Sequence, residues 1–113
     1  MFIGVGVGVS VQSLVSPKPV GGSVPINTVA PEATGVLGVG ETLSCTDGTW
    51  YSDAGDITYA YQWQRNFSPI SGATSSSYVV TESDLLTSLR CVVTATNTVG
   101  NASANSNNIE EPP

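Results

Sequence analysis

Two cysteines and a tryptophan sit in three segments whose apolar and polar residues alternate with a period of two. That pattern restricts the chain to β-structure. Leu43 and Cys45 alternate with Thr42, Ser44 and Thr46. Tyr59, Tyr61 and Trp63 alternate with Thr58, Ala60, Gln62 and Gln64. Leu89, Cys91, Val93 and Ala95 alternate with Ser88, Arg90, Thr94 and Thr96, with Val92 the one apolar exception. Successive side chains of a strand point to opposite faces, so each segment turns one face to a core and the other to water. These segments predict strands over 42–46, 58–65 and 88–96. Turn residues at regular spacing delimit further strands at 26–29, 68–70, 77–81 and 102–109. Turns are expected at Ser71-Gly72 and over 97–100, and residues 47–56 read as the longest loop. No segment carries helical periodicity; the nearest is a single turn around 82–86.

The order Cys45, Trp63, Cys91 fits an all-β, immunoglobulin-like antiparallel β-sandwich, in which a Trp on one central strand packs beside two facing cysteines. Trp63, Leu43, Tyr61, Leu89 and Val93 are then the expected core. Leu89 stands where antibody-type domains carry the tyrosine of the tyrosine corner, so that hydrogen bond is not expected. Residues 29–97 also resemble a bacterial and bacteriophage Ig-like domain family. The resemblance rests on Pro31, Val39-Gly40-Glu41-Thr42-Leu43, Cys45, Gly48-Thr49-Trp50, Tyr61-Gln62-Trp63-Gln64-Arg65, Ile70-Ser71-Gly72-Ala73-Thr74-Ser75, Tyr78, Asp84, the run from Leu89 to Asn97, and Gly100. It implies a module of the kind found in capsid decorations, tail appendages and large bacterial surface proteins. The chain departs from that pattern at Leu86, where the family has Gly, which unsettles the turn there. Cys45 and Cys91 are either a disulfide, worth about 4 kcal/mol by loop closure, or two buried thiols packing as small apolar groups.

The 113 residues suffice for one domain. Charged residues make up only 11%, and the solvent faces are built from Ser, Thr, Asn and Gln instead. Such a surface suits a protein outside a cell or on a particle. A net charge of −6 repels phosphate backbones, so no nucleic-acid partner is expected. The chain divides into an extended N-terminal arm with a Pro/Gly linker (1–25), the sandwich (26–109) and a disordered tail (110–113). Residues 105–113 are polar, acidic and Pro-terminated, and a frayed end is expected.

The arm is the second informative segment. Ile3, Val5, Val7, Val9 and Val11 are β-branched and share one face of an extended strand, while Gly4, Gly6 and Gly8 share the other. Phe2 adds to the apolar content. An apolar ridge backed by bare backbone permits close approach by another chain. No Lys or Arg precedes Lys18, so a secretory signal is not expected. Glycine at every second position opposes a membrane helix, and no membrane insertion is expected. Exposed in water, such a strand is aggregation-prone. Strand addition to a partner's sheet would cover it. Burying the five side chains supplies on the order of 8–12 kcal/mol before ordering costs.

The chain has no His, no GxSxG elbow and no SxxK, so no catalytic residues are assigned and an enzyme is not expected. Asp47, Asp53 and Asp56 share one loop, but their spacing matches no dedicated calcium loop. No metal and no cofactor are expected. Trp50 and Tyr51 are candidates for surface contact with a glycan or host surface, or for packing over the end of the domain. The combined expectation is a phage virion protein that decorates the capsid surface in multiple copies on a symmetric particle. Its arm (Phe2, Ile3, Val5, Val7, Val9, Val11) would bind the major capsid protein. A tail appendage and a bacterial surface adhesion or carbohydrate-binding module are the alternatives.

Overall fold

The computed structural model describes residues 22–112. The arm residues Phe2, Ile3, Val5, Val7, Val9 and Val11, like Pro113, lie outside them. The described chain runs through β1 (Ile26–Val29), β2 (Ala33–Thr34), β3 (Thr42–Cys45), β4 (Thr49–Tyr51), β5 (Thr58–Arg65), β6 (Ser68–Pro69), β7 (Ser77–Val79), a 3-10 turn (Glu82–Asp84), β8 (Leu89–Thr96) and β9 (Asn101–Asn105). All strand pairing is antiparallel. One sheet has the order β9-β8-β5-β6, a second β2-β3-β7, and β1 and β4 form a separate two-stranded ribbon.

The period-two pattern positions the core. Leu89, Cys91, Val93 and Ala95 are buried along β8, while the residues between them are half-buried. Trp63 lies directly opposite Cys91, and Tyr61 opposite Val93. Leu43 and Cys45 of β3 join Trp63, Leu89, Cys91 and Val93 in one apolar cluster, so the two larger sheets share a single core. Trp63 is fully buried; its indole Nε1 donates to the Ser75 carbonyl at 2.9 Å and its ring stacks on Tyr78 with centroids 5.9 Å apart. Tyr61, expected in the core, is only half-buried and packs against its margin.

Three expectations are corrected. The loop over 47–56 contains β4, which pairs with β1 in the register Ile26↔Tyr51, Asn27↔Trp50 and Val29↔Thr49. The Asn27 side-chain amide holds this ribbon by donating to the carbonyls of Val29 (2.9 Å) and Thr49 (3.1 Å). β7 stops at Val79, two residues early, because the Thr81 amide turns to the Asp84 carboxylate at 2.8 Å and opens the 3-10 turn. The final strand stops at Asn105 instead of 109, yet residues 105–109 do not fray. Ser106 exchanges bonds with Cys91, accepting from the Cys91 amide at its hydroxyl (2.9 Å) and donating its own amide to the Cys91 carbonyl (2.8 Å). The Asn107 side chain bonds both the amide and carbonyl of Ala33, and Ile109 bridges Leu89 and is buried.

Gly48 makes the β1–β4 ribbon possible. Its φ is +78°, and a Cβ there would stand 2.4 Å from the Val29 carbonyl oxygen. A side chain thus meets both a left-handed backbone and immovable main chain. Gly48→Ala is expected to cost about 2 kcal/mol or more, with the left-handed term alone near 1–2 kcal/mol. Chemical denaturation checks this: the midpoint should fall with an unchanged m-value.

Candidate functional site

The domain has two chemically different ends, set by the antiparallel pair β5 and β8. At one end Thr58 faces Thr96, and at the other Arg65 faces Leu89. Eight residues of strand separate them by about 25 Å.

The N-terminal connector enters at the first end. The Ser23 amide donates to Asp53 Oδ1 (2.9 Å), the Asn97 side chain donates to the Ser23 carbonyl (2.8 Å), and Pro25 is fully buried. The last residues of the Pro/Gly linker are therefore fastened to the domain. The loop carboxylates hold different partners. Asp47 accepts from the Tyr61 hydroxyl, a bond that is the largest cause of the Tyr61 pKa rising to about 12. Asp53 holds Ser23, and Asp56 is exposed. Among the described residues no group of three His, Cys, Asp or Glu side chains is placed to hold a metal ion. Trp50 is half-buried, packs on the core, and donates from Nε1 to the Asp47 carbonyl at 2.7 Å. Tyr51, on the other face of β4, is 57% exposed opposite exposed Ile26. Of the two aromatics proposed for surface contact, only Tyr51 is well exposed.

Cys45 and Cys91 are free, buried thiols in the shared core. Their mutual hydrogen bond and their burial push the Cys91 thiol well above the ordinary cysteine range. The same hydrogen bond shifts the Cys45 thiol downward, against its burial; both side chains pack in the core as small apolar groups.

The opposite end is built around an ion pair between a buried carboxylate, Asp84, and a half-buried guanidinium, Arg65. Asp84 is completely buried and accepts from Arg65 Nε (2.7 Å), the Tyr78 hydroxyl (2.7 Å), the Thr81 amide (2.8 Å) and the Thr81 hydroxyl (3.1 Å), while Arg65 Nη2 stands 2.7 Å from the same carboxylate. Burial opposes the Asp84 charge, but the Thr81 amide, the Tyr78 hydroxyl and the Arg65 guanidinium outweigh it and hold the carboxyl below its usual range. In the sequence Arg65, Tyr78 and Asp84 stand apart, as separate motif positions. Their convergence depends on the 3-10 turn, which leaves no periodic signal.

Beyond this pair the backbone is strained. Asn66, Phe67 and Leu86 have φ of +50°, +70° and +63°, and they are the non-glycine residues with positive φ among the described residues. Asn66 and Phe67 form the two-residue turn between β5 and β6, where both central positions require a left-handed backbone and Asn-Gly is the favoured pair. Phe67 lies over Arg90, whose guanidinium carbon is 4.6 Å from the ring centroid, and Arg90 Nε donates to Gln64 at 2.8 Å. Leu86 is 88% exposed, so no buried surface offsets its strain. Leu86→Gly is expected to raise stability by about 0.5–1 kcal/mol: relief of the left-handed penalty exceeds the added chain entropy. A rise in melting temperature would show it.

A cleft at this end is lined by Asn66, Leu86, Thr87, Ser88, Glu110 and Glu111. The turn and the 86–88 segment are joined by the Asn66 amide donating to the Ser88 carbonyl (2.8 Å) and the Ser88 amide donating to Asn66 Oδ1 (3.0 Å). No helix among the described residues is long and apolar enough to cross a membrane. No protein-family model, no curated protein and no solved structure matches this chain.

Proposed function

We propose that this chain is a non-enzymatic structural protein of a bacteriophage virion. In this reading its N-terminal arm anchors to the major capsid protein, and its Ig-like sandwich projects from the capsid surface. The observation that carries the reading is the fastening of Ser23 by Asp53 and Asn97 at one end of the domain. The described chain begins at that end, and the Phe67 and Leu86 end lies about 25 Å away. The order of Cys45, Trp63 and Cys91, and the core these residues share, support the sandwich. The alternation of β-branched residues and glycine between Ile3 and Val11 supports strand addition as the mode of attachment.

Mass spectrometry of purified particles tests the assignment. The protein should be present in many copies per particle, in a fixed ratio to the major shell protein. A location confined to the tail would replace decoration by the tail-appendage reading, and absence from particles would leave the bacterial surface module. Substitutions in the arm test the mode. Val7→Asp should nearly abolish particle binding, because it would bury an unpaired charge. Gly6→Val should weaken it by blocking backbone approach. Both variants should keep the domain's melting temperature.

A further inference from the structure

We infer that the outward face of the β1–β4 ribbon is a second contact with the shell protein, laid against it where the arm is held. This rests on the proposed attachment through the arm. The first ground is the geometry of the ribbon. Ile26 and Val29 are three residues apart and would point to opposite faces of a regular strand. Between them the register moves from Asn27↔Trp50 to Val29↔Thr49, two residues on β1 for one on β4. That is a β-bulge, and a bulge re-aims side chains. Directly opposed residues share a face, so Ile26, Val29, Thr49 and Tyr51 project outward while Asn27 and Trp50 turn in. Burial agrees: Ile26, Val29 and Tyr51 are 52%, 57% and 57% exposed, and Asn27 and Trp50 are half-buried. No third strand pairs with this ribbon among the described residues. The outward residues carry no charge, and the Thr28 hydroxyl turns to the Thr49 carbonyl at 3.2 Å. An uncharged apolar face centred on a tyrosine has the composition of an interface core.

The second ground is where the rest of the chain joins. The Ser23 amide bonds Asp53, two residues beyond Tyr51, and Ile26 follows three residues after Ser23. The chain that precedes Gly22 therefore joins the domain at the rim of this face. Ten residues, 12–21, separate Val11 from Gly22, a reach of at most about 40 Å. A shell protein that holds Ile3 to Val11 is thereby tethered within range of the ribbon. A second copy is the poorer occupant, because two chains of net charge −6 repel each other. Strands of four and three residues also offer far less than the roughly 800 Å² per partner of a stable interface. A face this small works beside a tether, which raises its effective concentration.

Capsids lacking this protein are titrated with the full chain, and bound protein is read by co-sedimentation. The double variant Ile26→Thr, Tyr51→Thr keeps strand-forming residues in the ribbon. It should need about tenfold more protein for half-saturation, as expected for losing an aromatic anchor. Val79→Thr, on an exposed position of β7, should bind like the unsubstituted chain. Hydroxyl-radical footprinting of the unsubstituted chain gives a readout that no folding defect imitates. Oxidation of Tyr51 should fall several-fold on the particle, while that of Phe67, 59% exposed at the far end, stays unchanged. Unweakened binding by the double variant, or equal Tyr51 oxidation free and bound, would overturn the inference. So would self-association of the free chain that Tyr51→Thr abolishes, since the face would then belong to a second copy. No pelleting of the full chain overturns the inference together with the arm reading. If the chain lacking residues 1–16 binds as well as the full chain, the arm reading alone fails, and protection of Tyr51 still establishes the face.

Discussion

Asp84→Ala is expected to lower the unfolding free energy by about 3 kcal/mol, chiefly because it leaves the Tyr78 hydroxyl and the Thr81 amide without their charged acceptor, whereas the Arg65 side chain is 30% exposed and can turn to water. The Arg65 guanidinium, the Tyr78 hydroxyl and the Thr81 amide all direct hydrogen bonds at this carboxylate, and its removal strands the last two. Against the roughly 5–15 kcal/mol of an ordinary domain, this is a large fraction of total stability. The same network gives a pH signature. The folded Asp84 carboxyl titrates below its usual range, whereas in the unfolded chain it titrates near pH 4, that is about 3.9. Its contribution is therefore complete above the unfolded value and is lost as pH falls through that value towards the folded one. Urea denaturation across this acid range should show the wild-type chain losing stability more steeply than Asp84→Asn. Parallel acid limbs would show that Asp84 is not the titrating contributor.

Trp63→Ala is the second large effect, at about 3–5 kcal/mol for emptying a large aromatic site in a core. The indole lies between the two larger sheets, against Cys91 and Tyr78, and its Nε1 bond fastens the segment at Ser75 to β5. The substitution therefore removes packing and also leaves the Ser75 carbonyl without this partner. Thermal melts followed by circular dichroism should show the drop, with folded-state β-signal retained at low temperature if the remaining core still closes. An unchanged melting temperature would remove Trp63 from the centre of the fold.

The parts of this fold readable beforehand are those where one physical rule dominates. Strand β5 was legible because a half-buried strand must alternate, and Tyr59, Tyr61 and Trp63 alternate with Thr58, Gln62 and Gln64. β4 was not. Three residues, Thr49, Trp50 and Tyr51, are too few to show a period, and their pairing depends on Asn27 side-chain bonds and on the close approach at Gly48. The tail from Asn105 to Ile109 looked too polar to order itself. Its order comes from Ser106 and Asn107 bonding main chain far away in sequence, with Ile109 as the one apolar anchor. The departure at Leu86 was visible as an unusual residue in a turn; that it adopts the left-handed backbone a Gly would take, fully at odds with its side chain, needed the structure. The cleft at the far end was hidden for a similar reason: Asn66, the 86–88 segment, and Glu110 with Glu111 come from three separate stretches of the chain.

The proposal that the arm, and not the domain, carries attachment is tested most directly by co-sedimentation with capsids lacking this protein. The full chain and a variant lacking residues 1–16 are compared at equal concentration, with the melting temperature of each measured alongside. The expected result is stoichiometric pelleting of the full chain, none of the truncated one, and the same melting temperature for both. Stoichiometric pelleting of the truncated chain would contradict the proposal and make the domain itself the capsid-binding surface.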